Sequence, residues 1–182
     1  MRRNLARLSV AVATMSSMGT IGVLATPASA AGTACSGSTG SVTFSPGLTN
    51  GPAKVQNVVI KGALSGCSGS TVSAATYVAK LKSAKPATCA TLSTEGETAT
   101  GSLVIKWSPK GQGNSHGSIT LTETGGTGAS LAGTIGEGLF AGLGASGGAE
   151  AFTPMFTGTG EPCTKKNPLK KATFTGSGVT IS

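Results

Sequence analysis

Between residues 98 and 108 the chain alternates strictly. Ala99, Gly101, Leu103, Ile105 and Trp107 fall on one side, and Thr98, Thr100, Ser102, Val104, Lys106 and Ser108 on the other. A period of two is that of a strand with one face buried and one face wet. Ser118-Ile119-Thr120-Leu121-Thr122 repeats the pattern, and Pro109-Lys110-Gly111-Gln112-Gly113-Asn114 between them supplies turn chemistry, so a hairpin is expected. The same reading places strands at 41–44, 55–64, 71–81, 130–135, 149–156 and 172–181. Short strands at such intervals, punctuated by Gly and Pro, point to an all-β fold. The expected architecture is an antiparallel β-sandwich or a barrel-like sheet of about eight or nine strands.

Two segments resist that pattern. Residues 72–83 contain Ala and Lys, which are good helix formers. However, Thr71, Val72, Thr76, Tyr77 and Val78 favour extended backbone, and Ala75, Tyr77, Ala79 and Leu81 keep the two-residue period, so a strand is expected. Residues 125–148 include ten glycines and read either as a mobile loop or as a Gly-laced hairpin.

The N-terminus reads as an export signal. Arg2, Arg3 and Arg7 precede an apolar stretch at 8–24, and small residues close it at Ala28-Ser29-Ala30. Ser and Thr interrupt that stretch and Pro27 follows it, which argues against a membrane anchor. Gly32-Thr33-Ala34 before Cys35 lacks the branched apolar residue of an acylation signal. The expectation is a cleaved signal peptide at 1–30 and a single β domain at 31–182, secreted and extracellular or associated with the cell wall. No transmembrane segment is expected after cleavage.

All three arginines lie in the signal, so its removal lowers the formal charge from +8 to +5. The domain then holds eleven lysines and six glutamates, with no basic stripe interleaved with aromatics, and nucleic acid is not an expected partner. Its cysteines, Cys35, Cys67, Cys89 and Cys163, are even in number on an exported chain, which predicts two disulfides. Four cysteines allow three pairings. Cys35-Ser36-Gly37-Ser38-Thr39 recurs as Cys67-Ser68-Gly69-Ser70-Thr71, an echo that favours Cys35 with Cys67 and leaves Cys89 with Cys163. No two cysteines have zinc-site spacing.

Little catalytic material remains. The chain has no Asp and a single histidine, His116. A base beside Ser115 or Ser146 would need a supporting constellation that is missing, so His116 reads as a surface residue of the hairpin. Gly142-Leu143-Gly144-Ala145-Ser146-Gly147 matches a dinucleotide fingerprint, but no strand, helix and acid follow in the required order. Gly144-Ala145-Ser146-Gly147-Gly148 matches a hydrolase elbow, but the histidine precedes the serine. Glu95 with Glu97, or Glu137 with Glu150 across a hairpin, are the remaining carboxylate pairs. A glycosidase cleft would also want sugar-stacking aromatics, so these read as solvated loop residues. No enzymatic activity, cofactor or metal is expected.

The clearest charged feature is Lys165-Lys166-Asn167-Pro168-Leu169-Lys170-Lys171. Lys165, Lys166, Lys170 and Lys171 are the candidate contacts for an anionic cell-envelope polymer, joined by the 109–114 turn; the alternative is a solvated loop.

Pro27-Ala28-Ser29-Ala30, the Ala31-Gly32-Thr33-Ala34-Cys35 start and the segments Ser45-Pro46-Gly47-Leu48, Gly62-Ala63-Leu64-Ser65-Gly66-Cys67 and Ile105-Lys106-Trp107-Ser108-Pro109-Lys110-Gly111 resemble the uncharacterised small secreted Gly/Ser/Thr-rich β proteins of actinobacteria. Pro46-Gly47-Leu48-Thr49-Asn50-Gly51 followed by Val58-Val59-Ile60 is similar to the first turn and strand of the neocarzinostatin-type apoproteins. That likeness implies an immunoglobulin-like fold binding a small apolar ligand in a cleft. The cysteine spacing differs from theirs, with no short cysteine loop. The leading expectation is a secreted binding or cell-surface interaction module. A small-molecule carrier with an apolar cleft between sheets is the alternative, and a Glu/Ser146-based hydrolase the third.

Overall fold

The two-residue alternation of the sequence is realised on a sheet that closes on itself. The computed structural model describes residues 32–126, 128–156 and 158–182, so the expected signal peptide at 1–30 lies outside the described residues. Ten strands follow in chain order: β1 (Thr33–Leu48), β2 (Asn57–Ser68), β3 (Ala74–Ser83), β4 (Thr98–Ser108), β5 (Asn114–Glu123), β6 (Ala129–Gly138), β7 (Gly144–Ala149), β8 (Ala151–Phe156), β9 (Leu169–Gly176) and β10 (Gly178–Ile181). Each of β1 to β6 pairs antiparallel with the next, β7 pairs with β10, and β10 pairs with β1. The result is an eight-stranded antiparallel barrel, the closed form of the two architectures expected. Closure removes the unpaired edges that a sandwich keeps.

Every expected strand is present. The segment expected at 71–81 is a strand and not a helix, β3 running from Ala74 to Ser83 with Ala75, Tyr77, Ala79 and Leu81 all buried. The glycine-rich stretch is a hairpin, β6 with β7, in register from Ala129↔Ala149 to Thr134↔Gly144. β1 is longer than expected: it begins at Thr33, eight residues before the segment its apolar pattern marks, because Ser, Gly and Thr carry little periodic signal.

The barrel's inward faces are apolar and its outward faces carry Thr, Ser and Lys, as on β3 (Thr76, Lys80, Lys82) and β4 (Thr100, Ser102, Lys106). This is the reverse of a lipid-embedded barrel, which turns its apolar side out. Among the described residues no helix is long and apolar enough to cross a membrane.

The two remaining strands explain the shape of one end. Only Glu150 separates β7 from β8, and only Ser177 separates β9 from β10. These are two long bent strands whose far halves leave the ring. There β9 continues along β1, from Ser38↔Gly176 to Leu48↔Leu169, and β8 continues along β9. On the other side, β5 and β6 stop at Glu123 and Ala129. Six residues of β8 therefore run on for roughly 20 Å with no strand on their outer edge. Pro154 sits there, where a missing N–H costs no ladder bond.

Candidate functional site

The end of the barrel away from β8 is filled. Trp107 meets Phe140 of the β6–β7 loop edge to face, ring centroids 5.1 Å apart. Its Nε1 donates to Ser115 Oγ at 2.8 Å, and Ser115 in turn donates to the Leu139 carbonyl. The polar end of the indole is thus satisfied where no water reaches, as a buried tryptophan requires. Tyr77 lies against its cross-strand partner Gly62, where an added Cβ would come within 2.5 Å of the ring. A hydrogen bond of 3.0 Å joins its hydroxyl to Ser38 Oγ. Burial pushes the Tyr77 phenol pKa up, against the smaller opposing pull of Ser38. The void left among Leu64, Tyr77, Leu103 and Ile105 is about 20 Å³.

The opposite end is hollow. A cavity of about 250 Å³ opens between the β5–β6 tip and β8. Its walls are Val42, Phe44, Leu48, Val58, Leu121 and Ala172, and Phe152, Pro154 and Phe156 of β8 form the outer side. Three loops cap it, and hydrogen bonds lace them together. Lys54 and Ala87 exchange backbone bonds of 3.2 and 2.8 Å; Asn50 N–H donates to the Cys163 carbonyl at 2.7 Å, and Cys89 N–H to Thr49 at 3.2 Å. The Cys89–Cys163 disulfide joins two of these loops, and a one-turn 3-10 helix at Ala90–Ser93 brings Leu92 onto the lining. The second disulfide, Cys35–Cys67, links directly paired residues of β1 and β2. Both pairings are those the repeated Cys-Ser-Gly-Ser-Thr motif favours.

Three polar side chains on the cavity set its chemistry. Gln56 is 2% exposed; its Nε2 donates to the Lys54 carbonyl at 3.1 Å, while its Oε1 has no partner. Its backbone N–H donates to Ser83 Oγ at 2.9 Å, and Ser83 N–H returns a bond to the Gln56 carbonyl, so the residue is held in place. The backbones of Glu97 and Glu123 lie opposite each other at a G1 bulge. Gly96, with φ +86°, donates to the Glu123 carbonyl, and Glu123 N–H donates to the Glu97 carbonyl, both at 2.9 Å. Each glutamate shares the inward parity of its strand, Glu97 with Ala99 and Glu123 with Leu121, and both line the cavity. Burial pushes the Glu123 pKa up to about 7.

These glutamates correct the reading of the acids as solvated loop residues. Glu95 is exposed, as are Glu137 and Glu150, which stand at opposite ends of the β6–β7 hairpin and form no pair. Glu97 and Glu123 are half-buried on the cavity. Strand parity carried the signal, since Glu123 continues the Ile119, Leu121 series. Gln56 carried the same signal, since it shares the inward parity of Val58 and Ile60 in the strand expected at 55–64, although β2 itself begins one residue later.

The remaining candidates lie apart from the cavity. Lys165, Lys166, Lys170 and Lys171 are all exposed, whereas Asn167 among them is buried, accepting from Gly158 N–H at 2.9 Å and donating to the Gly160 carbonyl at 3.1 Å. His116 is exposed on β5, opposite Glu137 and Val104. Ser146 is exposed on β7, between Ala132 and Thr180. Among the described residues no group of three or more His, Cys, Asp or Glu side chains is placed to hold a metal ion.

Fold and site together define a class: a disulfide-linked antiparallel barrel with one filled end and an apolar cavity at the other. No family model, curated protein or solved structure matches the chain.

Proposed function

We propose that the protein is an exported carrier that binds a small, largely apolar molecule inside the barrel. The observation that supports this reading most directly is the cavity of about 250 Å³ lined by Val42, Phe44, Leu48, Val58 and Leu121. Eight strands enclose an interior that side chains either fill or leave free for one small ligand. This chain fills one half only. Apolar cavities of roughly 150 Å³ take up benzene, so the space here suits a ring bearing a short chain. The ligand site then lies within the splayed end of one continuous sheet and not in a cleft between two sheets. The basic leader and the two disulfides support export to an oxidising compartment.

Thermal unfolding of the oxidised 31–182 domain across a series from benzene to propylbenzene tests the reading. Binding to the folded state alone must raise the melting temperature with ligand concentration. Leu121→Trp, which fills the cavity, should leave a folded barrel that no longer responds. An unchanged melting temperature for the native domain across the whole series sinks the proposal.

A second reading concerns the outer surface. Lys165, Lys166, Lys170 and Lys171 are exposed close together in sequence beside the capped end, which favours contact with an anionic cell-envelope polymer. Retention on purified envelope should then weaken with salt and vanish when all four are changed to Gln. Equal retention of native and quadruple variant would remove the lysines from any such role.

A further inference from the structure

We infer that the outer wall of β2, β3 and β4 is a docking face for a flexible, linear polymer of phosphate groups, held by Lys61, Lys80, Lys82 and Lys106. The inference does not depend on the carrier reading, and its face is separate from the 165–171 loop.

Charge is segregated along the chain, and the fold turns that order into two walls. Residues 31–94 contain Lys54, Lys61, Lys80, Lys82 and Lys85 and no acidic residue. Residues 111–164 contain Glu123, Glu137, Glu150 and Glu161 and no lysine. In the eight-stranded ring β2 lies across from β6, and β3 across from β7. No acidic residue occurs on β1, β2, β3, β4 or β9, and no lysine on β5, β6, β7, β8 or β10. A barrel charged in this way turns its positive side toward an approaching polyanion.

Strand parity points the four lysines outward. Lys80 and Lys82 alternate with buried Ala79 and Leu81, Lys61 follows buried Ile60, and Lys106 stands between buried Ile105 and Trp107. Register then gathers them. Lys61 is opposite Val78, which makes Lys80 its diagonal neighbour at about 7–8 Å. Lys82 is the next outward position of β3, about 7 Å further along. Lys106 is opposite Thr76 on the adjoining strand. All four are exposed, and among the described residues none forms an ion pair. Like charges this close repel one another. A polyanion laid across them removes that repulsion and releases its own counterions.

The residue types select the partner. The domain has no arginine, so no planar fork reads a single anionic group bidentately. Lysines act as point charges and suit repeating phosphates recognised by charge density. Val59, Val78 and Val104 lie among the lysines but are half-buried, and Tyr77 and Trp107 face inward. The wall therefore offers nothing to stack on a base and nothing to anchor in a bilayer. Among the described residues the exposed large apolar side chains are Val55, in the β1–β2 loop, and Met155 on β8. A convex wall also meets a flat membrane along one line, whereas a flexible chain follows its curve.

Binding of long-chain inorganic polyphosphate to the oxidised 31–182 domain, measured across a salt series, tests the assignment. At about 0.7 counterions per lysine engaged, log affinity should fall with log salt at a slope of about 3. Changing Lys61, Lys80, Lys82 and Lys106 together to Gln should weaken binding at low salt by at least about tenfold and bring the slope below about 1. These side chains face solvent, so melting should stay cooperative and the loss reads the face itself. The variant with Lys165, Lys166, Lys170 and Lys171 changed to Gln alters the net charge equally, yet should lose no more than about threefold, through the general field alone. Equal losses in the two variants would assign binding to net charge and overturn the inference. A loss confined to the loop variant would return the contact to 165–171 and overturn it as well. So would native domain that ignores polyphosphate, including domain retained instead on phosphatidylglycerol vesicles, which would make the face a membrane contact.

Discussion

The two ends of this barrel are built from the same strands and differ in what enters them. At one end Trp107, Phe140 and Tyr77 project inward and leave about 20 Å³. At the other, the inward positions hold Val42, Val58, Leu121 and Ala172, and about 250 Å³ stays open. The filled end is closed by short turns, and the loop that carries Phe140 folds its ring into the barrel. The hollow end is closed by three longer loops that bridge over the space and are held by Cys89–Cys163. Closure of the wall therefore does not decide whether a barrel is solid; the size of the inward residues and the reach of the loops do.

The largest effect is expected where the filling is densest. Trp107→Ala should lose about 3–5 kcal/mol in denaturant unfolding, since it removes a fully packed ring and leaves Ser115 without its donor. A loss below about 1 kcal/mol would mean that the filled end is not the stabilising half.

The two disulfides come next. Replacing Cys89 and Cys163 together should cost about 2–4 kcal/mol and raise amide exchange in the three capping loops, because the bond spans 74 residues and joins directly two loops that are otherwise bridged by backbone bonds to Thr49 and Asn50. Replacing Cys35 and Cys67 should leave exchange in those loops unchanged, since that bond links strands already in register. Equal loosening of the cap by both changes would contradict the assignment.

A matched pair of leucines measures the contrast directly. Leu103→Ala at the filled end should cost about 2–5 kcal/mol. Leu121→Ala, whose side chain already faces empty space, should cost only about 1–2 kcal/mol.

Glu123 gives a smaller, pH-dependent effect. The folded chain holds its proton up to about pH 7, while the unfolded chain releases it at roughly 4.3. Between those values the folded state binds more protons, so stability falls as pH rises through the window and is flat above it. Glu123→Gln should flatten that part of the profile and, after allowance for solvent screening of a half-buried group, add about 1 kcal/mol at pH 8. The smallest effect belongs to Lys165, Lys166, Lys170 and Lys171. Changing all four to Gln should move stability by no more than about 0.5 kcal/mol per site, with the melting transition intact.

Strand positions were largely legible from residue order. Ile105 and Trp107 sit where the two-residue period put them, and the repeated Cys-Ser-Gly-Ser-Thr motif marked the disulfide that joins β1 to β2. The site was only half legible. Glu97 and Glu123 follow the inward parity of their strands, yet each lies at a strand end next to turn residues, where composition reads as solvated loop. Gln56 follows the inward parity of Val58 and Ile60, between exposed Val55 and Asn57, yet its polar side chain gave no sign of being buried. Its burial comes from bonds to Ser83 and Lys54 and from the cap above it.

Taken alone, the order of residues determined the β class, the face each strand buries and the number and favoured pairing of the disulfides, because side-chain alternation and turn chemistry are local properties of the backbone. The choice of a closed barrel over a sandwich, and of a hollow end over a filled one, belonged to the tertiary structure. Both depend on β10 meeting β1 from the far end of the chain and on how much volume the inward side chains jointly occupy, and neither quantity is carried by any one segment.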